Sequence, residues 1–180
     1  MIVRYCFFIL IFFFFMFNAA AQEHSFTNQT EAGILAGSAG TSPVFTFQTF
    51  NGIRMEQWNA EAGITVGADL YNQVKILPIA LGIRYRFLTA RKISPYLSFD
   101  GGYGFDWLER ETETDYSGGG IMLNPAVGIK IRSLKATAFH CNIGFKSQTS
   151  ARYRTTLTHV NRVKEEYKYG RLSFRVGITY

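Results

Sequence analysis

RLSFRVGITY, residues 171–180, closes the chain. Leu172, Phe174, Val176, Ile178 and Tyr180 are apolar, while Arg171, Ser173, Arg175, Gly177 and Thr179 are polar or small. In an extended chain successive side chains point to opposite faces, so this strict alternation marks one β-strand with two different surfaces.

The same period recurs upstream. Leu77, Ile79, Leu81, Ile83, Tyr85 and Phe87 alternate with Pro78, Ala80, Gly82, Arg84 and Arg86. Comparable alternation covers 60–69, 120–132 and 138–146, with PYLSFDGGYGFDW at 95–107 and weaker patterns at 30–38 and 44–55. Together with the terminal strand these make eight strands, and no stretch after the first residues carries a convincing helical period. The predicted connections near 39–43, 70–75, 108–117 and 149–169 are longer than those near 56–59, 88–94 and 133–135. An even number of strands with long and short connections on opposite ends predicts an all-β, antiparallel, up-and-down transmembrane barrel.

A soluble eight-stranded barrel of the lipocalin kind also alternates, with its apolar face inside. Three features favour lipid. The polar face is rich in Gly, Ala and Ser, which suits a narrow lumen. Aromatic residues fall near strand ends (Tyr85, Phe87, Tyr96, Trp107, Tyr180), as in interfacial girdles. The chain also ends on an aromatic strand.

At the other end, MIVRYCFFILIFFFFMFNAAAQ carries Arg4, an apolar run from Cys6 to Phe17 and the small residues Ala19, Ala20 and Ala21. This is the layout of a cleaved signal peptide over 1–21, with the barrel over 22–180; a retained membrane anchor is the alternative. Cys141 would then be the only cysteine left, so no intramolecular disulfide is expected. The net charge of +6 points toward anionic membrane or lipopolysaccharide phosphates, and away from nucleic acid for an exported chain.

The stretches NGIRM, SPYLSFDGGYGF and GGGIMLNPAVGIKI resemble the small outer-membrane β-barrel families of Gram-negative bacteria, the OmpA/OmpX-like group. That resemblance implies an outer-membrane location and a monomeric barrel among lipid and lipopolysaccharide. It also implies that Phe174, Val176, Ile178 and Tyr180 act as a signal to the outer-membrane assembly machinery. No peptidoglycan-binding domain follows the barrel, so a periplasmic tether is not implied.

The chemistry of the inward face follows from barrel width. Eight strands enclose a bore just wide enough to be filled by side chains, and charges there need partners. Parity places Glu31, Glu61, Asp69, Asp100 and Asp106 inside, with Arg84, Arg86, Lys130, Arg132, Lys146, Arg171 and Arg175. The expected result is a salt-bridged plug, with Asp100 opposite Gly82 and beside Val127 or Gly128, held between Arg84 and Lys130.

A hydrolase would need a nucleophile in reach of an oriented base. His24 precedes the barrel, His140 faces the lumen, and His159 lies in the longest loop with no acid at a telling spacing. There is no Cys/His pair at metal-ligand spacing and no GxxxxGK[ST] loop, so no metal and no cofactor are expected. The outermost segments are charged: ERETETD at 109–115 is acidic, and Arg152, Arg154, Arg162 and Lys164 stand in a basic loop suited to an anionic or extracellular ligand. The function expected is therefore a structural or surface-interaction barrel. A narrow transport channel and a lipid-modifying enzyme are the alternatives.

Overall fold

A computed structural model describes residues 25–38, 41–71, 74–87, 92–107, 115–133, 137–155 and 162–180. The expected signal peptide lies outside them. The strands are β1 (Ser25–Ala36), β2 (Val44–Met55), β3 (Ala60–Leu70), β4 (Lys75–Arg86), β5 (Ile93–Trp107), β6 (Asp115–Gly118), β7 (Gly120–Arg132), β8 (Ala138–Thr155) and β9 (Arg162–Thr179). All neighbouring pairs are antiparallel, and β9 pairs with both β8 and β1, so the sheet closes on itself. β6 and β7 are separated by Gly119 alone and both pair with β8, so the nine elements form eight staves. Between the pairs Gly118↔Ala151 and Met122↔Gln148 the register shifts by one residue, which is a bulge at Gly119–Gly120. Among the described residues no helix is long and apolar enough to cross a membrane. The one short helical turn, Glu56–Trp58, lies between β2 and β3 and ends on Asn59 in the left-handed region.

The alternation seen in the sequence becomes an apolar outer wall and a polar bore. Phe45, Leu81 and Phe174 are among many large apolar side chains left bare on the outside, Leu81 at 72% exposure. On the same strands Thr46, Arg84 and Arg175 are buried inside. Inverting a water-soluble protein in this way leaves a continuous apolar belt that only lipid can cover. The strands run to 18 residues in β8 and β9, beyond the ~9–11 needed to span a bilayer core.

Several boundaries differ from expectation. The first strand begins at Ser25 instead of 30, because Thr27 and Gln29 point inward and only Phe26 gives the outer face an apolar signal there. The expected loop over 149–169 is mostly strand: β8 runs to Thr155 and β9 resumes at Arg162. β6 likewise occupies part of the expected 108–117 loop. Apolar alternation marks the part of a strand in lipid. Outside that part the pattern fades, while the backbone ladder of β8 and β9 continues.

Tyr96, expected in the outer aromatic girdle, is buried in the bore. Its neighbour Leu97 takes the outer face, so period two alone requires Tyr96 inside. At the end carrying the long connections, Leu35, Val44, Tyr71, Val74 and Ile76 form an apolar cluster with Tyr169 packed against it. Burial raises the Tyr71 phenol above its ordinary value, so this cluster stays neutral.

Candidate functional site: the charged bore

The bore is organised in layers. At the end with the short turns, Glu61 on β3 gathers the bases. Its Oε1 lies 3.3 Å from Arg54 Nε and 3.5 Å from Arg86 Nε, and its Oε2 lies 3.4 Å from Lys130 Nζ. Gln29 Nε2 also donates to Glu61 Oε2. Arg86 reaches on to Glu56 at 3.4 Å.

The middle holds two acids. Glu31 on β1 meets His140 Nε2 at 2.8 Å and Arg175 Nε at 3.3 Å, and accepts from Asn142 at 2.9 Å and Gln48 at 2.8 Å. Arg175 donates to Gln48 Oε1 at 2.8 Å and to Asn142 Oδ1 at 3.0 Å. Asn142 also donates to the Tyr96 hydroxyl at 3.0 Å. Asp100 on β5 pairs with Arg84 Nη1 at 2.8 Å and accepts from Thr65 at 2.6 Å and Asn124 at 3.2 Å. The Arg84 guanidinium lies 4.3 Å from the centre of the Phe50 ring. Asp100 can approach Arg84 this closely because Gly82 stands opposite it. A Cβ on Gly82 would come within 2.6 Å of Asp100 Oδ1 and 2.9 Å of Arg84 Nη1.

Nearer the long connections, Asp69 takes Lys146 Nζ at 2.5 Å and the Thr46 hydroxyl at 2.7 Å. Asp106 accepts from Ser150 at 2.8 Å. The enclosed charges of Glu31, Glu61, Asp69 and Asp100 are tolerated because each is met by a cation and a neutral donor that replace water.

Two expected placements change. Asp100 faces Asn124 on β7, not Val127 or Gly128, and Lys130 binds Glu61. β7 lies three to four residues from the expected register on β5, with Lys130 opposite Ser94, so Lys130 falls nearer the short-turn end. Arg132 is exposed, and half-buried Arg171 leaves the bore to donate to the Ser42 carbonyl at 3.0 Å, over the Tyr71 ring. Of the expected basic loop, the backbones of Arg152 and Arg154 lie in β8 and those of Arg162 and Lys164 in β9. His24 and His159 lie outside the described residues.

The uncharged partners were the harder part to foresee. Gln29, Gln48, Asn124 and Asn142 each serve a carboxylate in the bore. Their signal in the sequence is the same inward parity that identifies the charged residues.

One chain of contacts imitates a catalytic triad. Thr179 Oγ1 lies 3.1 Å from His140 Nδ1, and His140 Nε2 lies 2.8 Å from Glu31. Thr179, His140 and Glu31 are all buried. A nucleophile has to be reachable by its substrate, and this hydroxyl is walled in by the side chains around it. Among the described residues no group of three or more His, Cys, Asp or Glu is placed to hold a metal. Two surface grooves lie on the lipid side, where Leu97, Val127 and Ile143 line adjoining hollows between β5, β7 and β8.

Known structures share this architecture. Neisserial surface protein A matches with a TM-score of 0.59 and 13% identity, over 86% of this chain and 94% of that one. The outer membrane protein OprG from Pseudomonas aeruginosa matches at 0.53 and 12%, over 86% and 94%. The outer membrane protein AlkL, solved by solid-state NMR in DMPC lipid bilayers, matches at 0.52 and 13%, over 87% and 89%. No protein-family model and no curated relative matches the chain. At such identities the likeness carries the fold, an eight-stranded barrel of the small outer-membrane type.

Proposed function

We propose that this barrel of the outer-membrane type works in the bacterial outer membrane as a closed structural and surface-contact protein, without catalysis and without a solute path. The observation that supports it most is the pairing of buried charges across the bore, above all Arg84 with Asp100, Glu31 with Arg175 and Lys146 with Asp69. A water-filled channel keeps its lining charges hydrated; here protein donors and cations take the place of that water. Phe174, Val176, Ile178 and Tyr180 present an apolar row on β9 that suits recognition by the assembly machinery.

Contact with the outside is assigned to the β8–β9 hairpin. In outer-membrane barrels the longer connections face outward, and this hairpin continues past the last β1 partner of β9, Leu172. Its sequence from 152 to 171 carries six basic residues (Arg152, Arg154, Arg162, Lys164, Lys168, Arg171) against Glu165 and Glu166. Register sets Arg152 opposite Glu165 and Arg154 opposite Asp115, which leaves an excess of positive charge. Lipopolysaccharide phosphates are the fitting partner, since each Lys or Arg near an anionic surface contributes about 1 kcal/mol. Exchanging Arg152, Arg154, Arg162 and Lys164 for Gln is expected to weaken lipopolysaccharide binding at least about tenfold at low salt. Unchanged binding in a titration of the refolded variant would remove this role.

A further inference from the structure

Acids and bases match one to one in the deeper bore, as Arg84 with Asp100, Arg175 with Glu31 and Lys146 with Asp69. The mouth at the short turns breaks that balance. Its described charged side chains are Arg54, Arg86, Lys92, Lys130 and Arg132 against Glu56 and Glu61. Glu61 is 0% exposed, and Arg54, Arg86 and Lys130 all converge on it. One buried carboxylate thus answers three cations. Arg86 is buried too, and its Nε makes no hydrogen bond.

Glu56 shows what the surplus can hold. One of its carboxylate oxygens lies 3.4 Å from Arg86 Nη2 and the other 3.8 Å from Arg54 Nε, so it bridges the two arginines. The backbone sets it there. Asn59 N donates to the Glu56 carbonyl at 3.2 Å, and Arg86 N donates to the Asn59 carbonyl at 2.8 Å, which pins the turn beside Arg86. The Glu56 side chain is nevertheless 65% exposed, and an ion pair so open to water is held weakly. Further out, Arg132 N donates to the Lys92 carbonyl at 2.9 Å. These two exposed residues therefore stand side by side, at the same inward parity as Lys130.

We propose that the short-turn mouth is a binding site for an acidic peptide segment, one carboxylate of which takes the place of Glu56 on Arg54 and Arg86 while others reach Lys92 and Arg132. Short turns of outer-membrane barrels face the periplasm, so the segment comes from that side. Three features select this partner. Glu56 is itself a peptide-borne carboxylate, and arginine forks suit that group. Inward parity turns the cations to the mouth and away from headgroups outside the wall. With Glu56 displaced, five cations stand against Glu61 alone, an excess that calls for several carboxylates along one chain.

The test is made in an Arg152→Gln, Arg154→Gln, Arg162→Gln, Lys164→Gln background, so that the β8–β9 hairpin does not compete and the two roles fail separately. This parent is folded in zwitterionic micelles, which leave both ends of the barrel open to solution. Binding of a fluorescent hexaglutamate peptide is read by anisotropy at low salt. The parent should bind it saturably, and hexaglutamine at least about tenfold more weakly. Glu56→Gln removes the internal competitor and should tighten binding about twofold to fivefold, the worth of an exposed ion pair. Lys92→Gln with Arg132→Gln should weaken it at least about fivefold. Both of these residues lie outside the Glu61 cluster, and retained circular dichroism will show that the variant folds. Glu165→Gln makes the same charge change on the hairpin and should leave the affinity unaltered. The proposal is overturned if Glu165→Gln tightens binding as much as Glu56→Gln, since the attraction is then general. It is overturned equally if neither the parent nor Glu56→Gln binds saturably, or if the Lys92 and Arg132 variant binds as the parent does. Stronger competition from phosphatidylglycerol in the micelle than from unlabelled hexaglutamate would reassign the mouth to lipid headgroups and overturn it too.

Discussion

Replacing Arg84 with methionine will lower the stability of the folded barrel by about 3–5 kcal/mol, because it strands the Asp100 carboxylate in the bore. Arg84 and Asp100 are 2% and 0% exposed and 2.8 Å apart. Methionine keeps the apolar stem that packs on Phe50 and removes only the cation. Thr65 and Asn124 still donate to Asp100, but neutral donors do not cancel a buried charge. Urea unfolding in vesicles gives the number. Adding Asp100→Asn to the variant should restore more than half of the loss, since it removes the orphaned charge. A single variant within about 0.5 kcal/mol of wild type would mean that the pair is hydrated and the bore is wet.

The second large effect lies on the other side of the wall. Leu81 is the most exposed large apolar residue of β4 and sits near the middle of that strand. Leu81→Arg is expected to cost about 2–4 kcal/mol of folding stability in a bilayer, the range for a cation at the midplane of a barrel's lipid face. Leu81→Ala should cost less, because it exposes no charge to lipid. A water-soluble barrel would reverse the order, since arginine on a wet surface changes stability by no more than about 0.5 kcal/mol. The same urea titration therefore separates a lipid-facing wall from a solvated one.

The architecture was legible because lipid enforces a period of two. RLSFRVGITY and the β4 segment show it without ambiguity, and the strands read from them fall into one closed ring. Legibility failed where lipid stops acting. Only Phe26 marks Ser25–Gln29, and no sustained alternation marks 149–155 or 162–169, although all of these are strand. In the bore, parity gives the facing direction of a side chain but not its height. Asp100 and Lys130 both point inward, yet their partners depend on how far β7 slides past β5, and loop length alone does not fix that slide. The apolar cluster of Leu35, Val44 and Ile76 shows the same limit: an apolar residue at inward parity near a strand end reads as noise until the end of the barrel closes over it.

Planar-bilayer recording on the refolded chain tests the central claim most directly. A bore filled by Arg84–Asp100, Glu31–Arg175 and Lys146–Asp69 predicts a flat trace, with no unitary current steps in molar salt after insertion is verified. Reproducible, voltage-stable conductance steps from the same insertions would contradict the closed barrel.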